Sequence, residues 1–204
     1  MAELQRWGIL GGVFDPVHYA HLAVAEQTRD ALRLDHVVFV PANVPVHRPP
    51  AQASAEARVA MVEAATADNS TFSVSRVEID GAMSGYTADT VARLIAQTPA
   101  TRFVVILSAE SAAHLPEWRD PERLLDLAEI AVVPRLGYAN LPREWLEAHF
   151  PRRVERFVFV PTSVLGHSSS DIRTRLAADR SIRYLLPPAV ERYIGEHSLY
   201  AREA

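Results

Sequence analysis

The stretch Trp7-Gly8-Ile9-Leu10-Gly11-Gly12-Val13-Phe14-Asp15-Pro16-Val17-His18-Tyr19-Ala20-His21 decides the fold. A short apolar run, residues 7–10, ends in two glycines, and an amphipathic pattern follows from 20 to 32. A buried strand that turns sharply into a helix is the opening unit of an α/β chain. The remaining sequence repeats that alternation. Short apolar runs rich in β-branched residues at 36–40, 72–74, 103–107, 130–133 and 157–160 read as strands buried on both faces. Helical patterns lie between them at 55–67, 88–97, 121–127 and 143–149. The order predicts an α/β fold with a mostly parallel, six-stranded sheet. Its ligands are expected at the carboxyl ends of the strands, near a topological switch point. Two closing helices, 170–178 and 187–196, follow the last strand, the second opening on proline, which suits a first helical turn. The proline-rich segment 41–50 is the one extended loop, directly after the second strand.

Composition narrows the chemistry. The 204 residues contain no cysteine, and all 21 basic side chains are arginine, since no lysine occurs. Disulfides, thiolate nucleophiles and cysteine-based metal sites are excluded, as are Schiff bases and the P-loop, whose signature needs lysine. Neither a repeat nor a long linker divides the chain. The expectation is one domain over 1–204, with a core at 1–165 and a helical C-terminal part at 166–204. A net charge of −4 offers no broad footprint for a nucleic-acid polymer. No apolar stretch is long enough to span a bilayer and residues 1–6 lack signal-peptide character, so a cytoplasmic location is expected.

Two segments carry candidate chemistry. At the first, Gly11 and Gly12 allow a close backbone approach, and the helix after them presents N–H groups and a positive dipole end to an anion. The segment lacks G-x-G-x-x-G, so it is no dinucleotide fingerprint. His18 and His21, spaced i, i+3, share a helix face and can donate to phosphate oxygens. A pair of surface histidines or part of a metal site fits the same spacing. Asp15 before Pro16 reads as a turn or cap residue, and Phe14 as a core or ligand-wall aromatic. The second segment, His167-Ser168-Ser169-Ser170-Asp171-Ile172-Arg173, opens a late helix. Its hydroxyls, N–H groups and Arg173 suit phosphate, although the segment taken alone reads first as a serine N-cap with a solvent arginine. Two helix starts on one parallel sheet could clamp a polyphosphate from both sides.

Together these segments resemble the nucleotidylyltransferase superfamily, whose marks are a G-x-F-D-P-x-H-x-G-H-type and an I-S-S-T-x-I-R-type segment. The stretches Asn43-Val44-Pro45-Val46-His47-Arg48-Pro49, Tyr86-Thr87-Ala88-Asp89-Thr90, Leu115-Pro116-Glu117-Trp118, Arg135-Leu136-Gly137-Tyr138 and Leu185-Leu186-Pro187-Pro188 look like the branch of bacterial nicotinate-nucleotide adenylyltransferases. The likeness implies a Rossmann-like, doubly wound sheet and transfer of AMP from ATP to nicotinate mononucleotide with Mg²⁺. It implies His18, His21 and Arg173 as catalytic groups. On the ATP side it implies Gly11, Gly12, Val13, Phe14, Ser108, Glu110, Ser168 and Ser169. On the mononucleotide side it implies Asn43, Arg48, Thr87, Trp118, Arg119 and Arg135, with Trp118 stacked on the ring. Mg²⁺ would be held mainly by phosphate oxygens and water, with no dedicated protein ligand. Self-association stays open.

The chain departs from the family pattern at Ala20, where glycine is usual, at His167, where an apolar residue is usual, and at Ser108-Ala109-Glu110, where Gly-x-Asp is usual. Glu110 is expected to reach a ribose hydroxyl, and Ser108 to narrow the backbone approach. The alternatives are another adenylyl- or cytidylyltransferase, such as pantetheine-phosphate adenylyltransferase, or a non-catalytic nucleotide sensor.

Overall fold

The computed structural model describes residues 4–43, 50–81 and 84–201. Six strands, β1 (Gln5–Gly12), β2 (His36–Pro41), β3 (Phe72–Val74), β4 (Thr101–Ser108), β5 (Ala128–Val133) and β6 (Phe157–Phe159), form one sheet in the order β3-β2-β1-β4-β5-β6. Every neighbouring pair is parallel, so the expectation of a mostly parallel sheet is met in full. This is the doubly wound strand order, and its switch point lies between β1 and β4.

The strands alternate their side chains between two cores, which is why their sequences read as continuous apolar runs. Leu10, Val37, Phe39, Val104, Ile106, Ala131 and Val133 face one core. Ile9, Val38, Val40, Val105, Leu107, Ile130 and Val132 face the other. The first core is closed by α1 (Tyr19–Leu32), α2 (Ala55–Thr66), α7 (Ser169–Ala177) and α8 (Pro188–Glu196), through residues such as Ala25, Met61, Ile172 and Val190. The second is closed by α3 (Thr87–Gln97), α4 (Ala109–Ala113), α5 (Pro121–Leu127) and α6 (Arg143–His149), through Val91, Ala112, Leu124 and Leu146. The closing helices expected after the last strand are therefore the outer cover of the first core.

Helix starts are specified locally. Ser54 Oγ accepts the Ala57 N–H at 3.2 Å to open α2, and Ser168 Oγ accepts the Asp171 N–H at 3.1 Å to open α7. Asp120 caps α5 ahead of Pro121 at the first helical position. Helix α4, capped by Ser108, is an element the hydropathy pattern does not announce. Among the described residues, no helix is long and apolar enough to cross a membrane.

Candidate active site

Strand β1 delivers its glycines to the carboxyl edge of the sheet, beside the switch point. A Cβ on Gly11 would meet nothing within 4 Å, so the backbone there borders open space. A Cβ on Gly12 would lie 2.9 Å from the Phe14 ring, so that ring dictates glycine at position 12. Phe14 takes the left-handed region, with φ of 52°, and its buried ring packs edge-on against His21 at 5.0 Å between centroids. It is thus a wall beneath the histidines.

The two imidazoles stack, 3.8 Å apart and 27° from parallel. His21 Nδ1 accepts the His18 backbone N–H at 3.3 Å, which leaves the His21 proton on Nε2. His18 is 4% exposed, and its Nδ1 is buried without a hydrogen-bond partner. Burial, followed by the positive neighbours His167 and Arg135, holds its pKa down to about 4. At neutral pH His18 is therefore an uncharged imidazole. The first N–H of α1, on Tyr19, does not point to an anion as the sequence suggested: it donates to the Leu185 carbonyl at 3.2 Å. The closing segment before α8 seats on that helix end and uses its first donor.

Asp15 is structural, as its place before Pro16 implied. The residue is 4% exposed, and its carboxylate accepts from the Gln52 N–H at 2.8 Å, the Ala53 N–H at 3.1 Å and the Tyr200 hydroxyl at 2.7 Å. The second candidate segment docks on the same turn. Arg173 Nη1 donates to the Asp15 carbonyl at 2.6 Å, and Ser169 Oγ donates to the Pro16 carbonyl at 2.8 Å. The two segments, distant in sequence, are thereby joined. Ser168 serves as the N-cap of α7, so its hydroxyl has the structural role that the sequence left as the other reading.

Across the switch point, Ser108 has ordinary extended dihedrals, φ −66° and ψ 156°, so serine in place of glycine costs nothing in backbone conformation. Glu110 faces Arg135 at 3.4 Å and accepts from the Tyr138 hydroxyl at 3.1 Å. Two residues expected on opposite substrates therefore contact each other.

The mononucleotide-side residues divide. Arg48 lies outside the described residues. Asn43 is exposed after β2, and Thr87 is the first residue of α3. Arg119 stacks its guanidinium on the Tyr86 ring at 4.8 Å, and Trp118 is half-buried against the second core.

Three supporting residues escape sequence reasoning. Arg58 on α2 is 1% exposed, and its guanidinium donates to the carbonyls of Val13 at 2.7 Å, Ala42 at 2.7 Å and Asn43 at 3.1 Å. It ties the loop after β1 to the loop after β2. Glu78 accepts from the Thr90 hydroxyl at 2.7 Å, and burial raises its pKa. Tyr200 reaches Asp15 from the far end of the chain. An arginine inside a stripe of Ala, Val and Met was the only signal for the first; the others left none.

The profile of a family described as "Cytidylyltransferase-like" matches residues 9–175. The chain is 45% identical to a "Probable nicotinate-nucleotide adenylyltransferase" of Roseiflexus sp. (strain RS-1), covering 95% of this chain and 96% of that one. It is 39% identical to a protein of the same name from Herpetosiphon aurantiacus, covering 97% and 99%. Among solved structures it is similar to Plasmodium falciparum nicotinic acid mononucleotide adenylyltransferase complexed with NaAD, with a TM-score of 0.78, 20% identity and coverage of 96% and 97%.

Proposed function

Because the chain belongs to the cytidylyltransferase-like family and, within it, to the nicotinate-nucleotide adenylyltransferases, we propose that it transfers AMP from ATP to nicotinate mononucleotide, releasing pyrophosphate in NAD biosynthesis. The observation that carries this reading is the junction of the stacked His18–His21 pair with Arg173 and Ser169 around the Asp15–Pro16 turn. It brings the donors of two helix starts to one end of β1.

The chemistry asks little of side-chain bases. The attacking mononucleotide phosphate is already an anion; its oxygen forms a bond to the α-phosphorus while the bond to the bridging oxygen of pyrophosphate breaks. Catalysis then consists of aligning two polyanions and stabilising charge on the transferring and leaving groups. His21, with its proton on Nε2, is assigned as a donor to the α- or β-phosphate, with His18 behind it. Arg173 is assigned to the triphosphate, and the Gly11–Val13 backbone with Phe14 to the nucleotide. Ser169 positions the loop through Pro16, and Glu110 with Ser108 borders the adenosine side. Asn43, Arg48, Thr87, Trp118, Arg119 and Arg135 are assigned to the mononucleotide.

Family chemistry calls for a divalent metal, which we take to be Mg²⁺. Asp15 already receives three hydrogen bonds and Glu110 faces Arg135 and Tyr138, so the donor set fits an ion bound through phosphate oxygens and water. When bound, it supplies neutralisation of phosphate charge. We take the chain as one nucleotidylyltransferase domain acting in the cytoplasm, its core at 1–165 and its second phosphate segment in 166–204.

Pyrophosphate release from ATP, measured in parallel with nicotinate mononucleotide, nicotinamide mononucleotide and phosphopantetheine, tests the reading. Turnover with the first is expected to dominate. Turnover only with phosphopantetheine would overturn it.

A further inference from the structure

Arg173 sits next to a carboxylate to which it makes no hydrogen bond. Its Nη1 donates to the Asp15 main-chain carbonyl at 2.6 Å but lies 3.7 Å from Asp15 Oδ2, outside hydrogen-bond range. A bidentate pair with the carboxylate would be the stronger arrangement for a guanidinium in isolation. What stands against it is that the carboxylate is already supplied: Oδ2 by the Gln52 N–H, Oδ1 by the Ala53 N–H and by the Tyr200 hydroxyl, the shortest of the three at 2.7 Å. All three donors are uncharged, so the carboxylate keeps its charge, and Arg173 stays within ion-pair distance of it without a hydrogen bond to it.

Tyr200 is held for this task. Leu199 and Tyr200 pack against the first core, and the Leu199 N–H returns to the Ile194 carbonyl at 3.0 Å, so the tail folds back on α8. The Tyr200 backbone takes a left-handed φ of 63°, which aims the phenol into the Asp15 turn. Burial and the neighbouring Asp15 carboxylate hold the phenol protonated well above its usual range.

We propose that Tyr200 is a positioning residue for the ATP site: its hydroxyl satisfies Asp15, and so keeps Arg173 turned toward the phosphates instead of the carboxylate. The proposal rests on the assignment of Arg173 to the triphosphate. Without the hydroxyl, Oδ1 keeps only the 3.1 Å bond from Ala53. A buried carboxylate short of a donor draws the nearest cation to itself. Arg173 is in place to answer, and ATP then loses what Asp15 gains.

The experiment compares the full chain with Y200F, R173A, the double variant and L199A, measuring KM for both substrates, kcat and Tm. Y200F is expected to raise KM for ATP about three- to ten-fold, the size of one hydrogen bond, with KM for the mononucleotide within about twofold. The rise should vanish in the R173A background. L199A, which loosens the same tail but keeps the phenol, should lower Tm and leave KM for ATP unchanged. A Y200F chain with lowered Tm and wild-type KM for ATP would overturn the proposal, as would L199A reproducing the KM effect. If R173A itself leaves KM for ATP unchanged, the assignment of Arg173 fails and the proposal falls with it; if R173A raises it and Y200F does not, the proposal alone fails.

Discussion

Arg58→Met removes the guanidinium that, among the described residues, joins the loops after β1 and β2, and its effect follows from the bonds it breaks. Methionine keeps most of the aliphatic length, so packing changes little. Three carbonyls lose their donor: Val13, Ala42 and Asn43. Asn43 is exposed and water replaces its bond; the other two residues are half-buried. Each carbonyl left short of a partner costs about 1–3 kcal/mol, or about 2–6 kcal/mol for the pair. Against this, the fold no longer desolvates a charge, the leading cause of the lowered Arg58 pKa. Asp15, however, loses a positive neighbour. A net loss of about 3 kcal/mol is expected, large beside a total of about 5–15 kcal/mol but short of unfolding the chain. Urea unfolding near neutral pH measures it, with the m-value as a check that the denatured state is unchanged. Because Val13 is assigned to ATP and Asn43 to the mononucleotide, KM for both substrates should rise. A loss below about 1 kcal/mol with both KM values intact would refute the reasoning, since the carbonyls would then need no guanidinium.

The other perturbations are narrower. His18 has a folded pKa of about 4 against 6.5, so it binds fewer protons folded than unfolded across that interval. Stability should fall by up to about 3 kcal/mol as pH drops from 6.5 to 4. His18→Gln should flatten that slope, and half-buried His36, also lowered by burial, should retain a smaller part of it; an unchanged slope would place the loss elsewhere. His21→Ala should lower kcat by about 10²–10³-fold with little change in Tm, as loss of a donor to developing charge does; a wild-type kcat would make the histidines structural. Arg48→Ala should raise KM chiefly for the mononucleotide, and a selective rise for ATP would reverse the substrate assignment.

The fold was legible where the pattern is apolar and local. Phe72–Val74, Pro121–Leu127 and Arg143–His149 run as read from the sequence, whereas β1 and β4 extend beyond it at both ends. Their extra residues include Gln5 and Thr101, which pair with each other in the ladder, and polar side chains at the first position of a strand leave no hydropathy signal. Helix α4 went unseen because five mostly small residues make no apolar period; its only mark is Ser108, a cap that looked like a departure from a glycine. At the site, the histidines and glycines were legible because they lie within one segment. Asp15 to Tyr200 spans 185 positions and Val13 to Arg58 spans 45, and no spacing rule connects them. Such contacts exist only once the two faces of the sheet are filled.

The charge distribution explains how a chain of net −4 can hold two polyanions. Arg6, Arg29, Arg76, Arg123, Arg143, Arg153 and Arg175 each face a carboxylate and add little to the field. Arg58 and Arg173 donate to carbonyls and share one nearby carboxylate, Asp15, 3.7 Å from Arg173 Nη1. His18 complements them without adding a cation. Two protonated rings stacked at 3.8 Å would repel, and burial already favours the neutral form of His18. The pair therefore offers oriented N–H donors at neutral pH. A polyphosphate bound beside His18, as proposed, would raise its proton affinity, because an anion beside a buried imidazole favours its protonated form. On that assignment, the burial that strips His18 of charge would make its proton affinity responsive to the charge that builds on the phosphates.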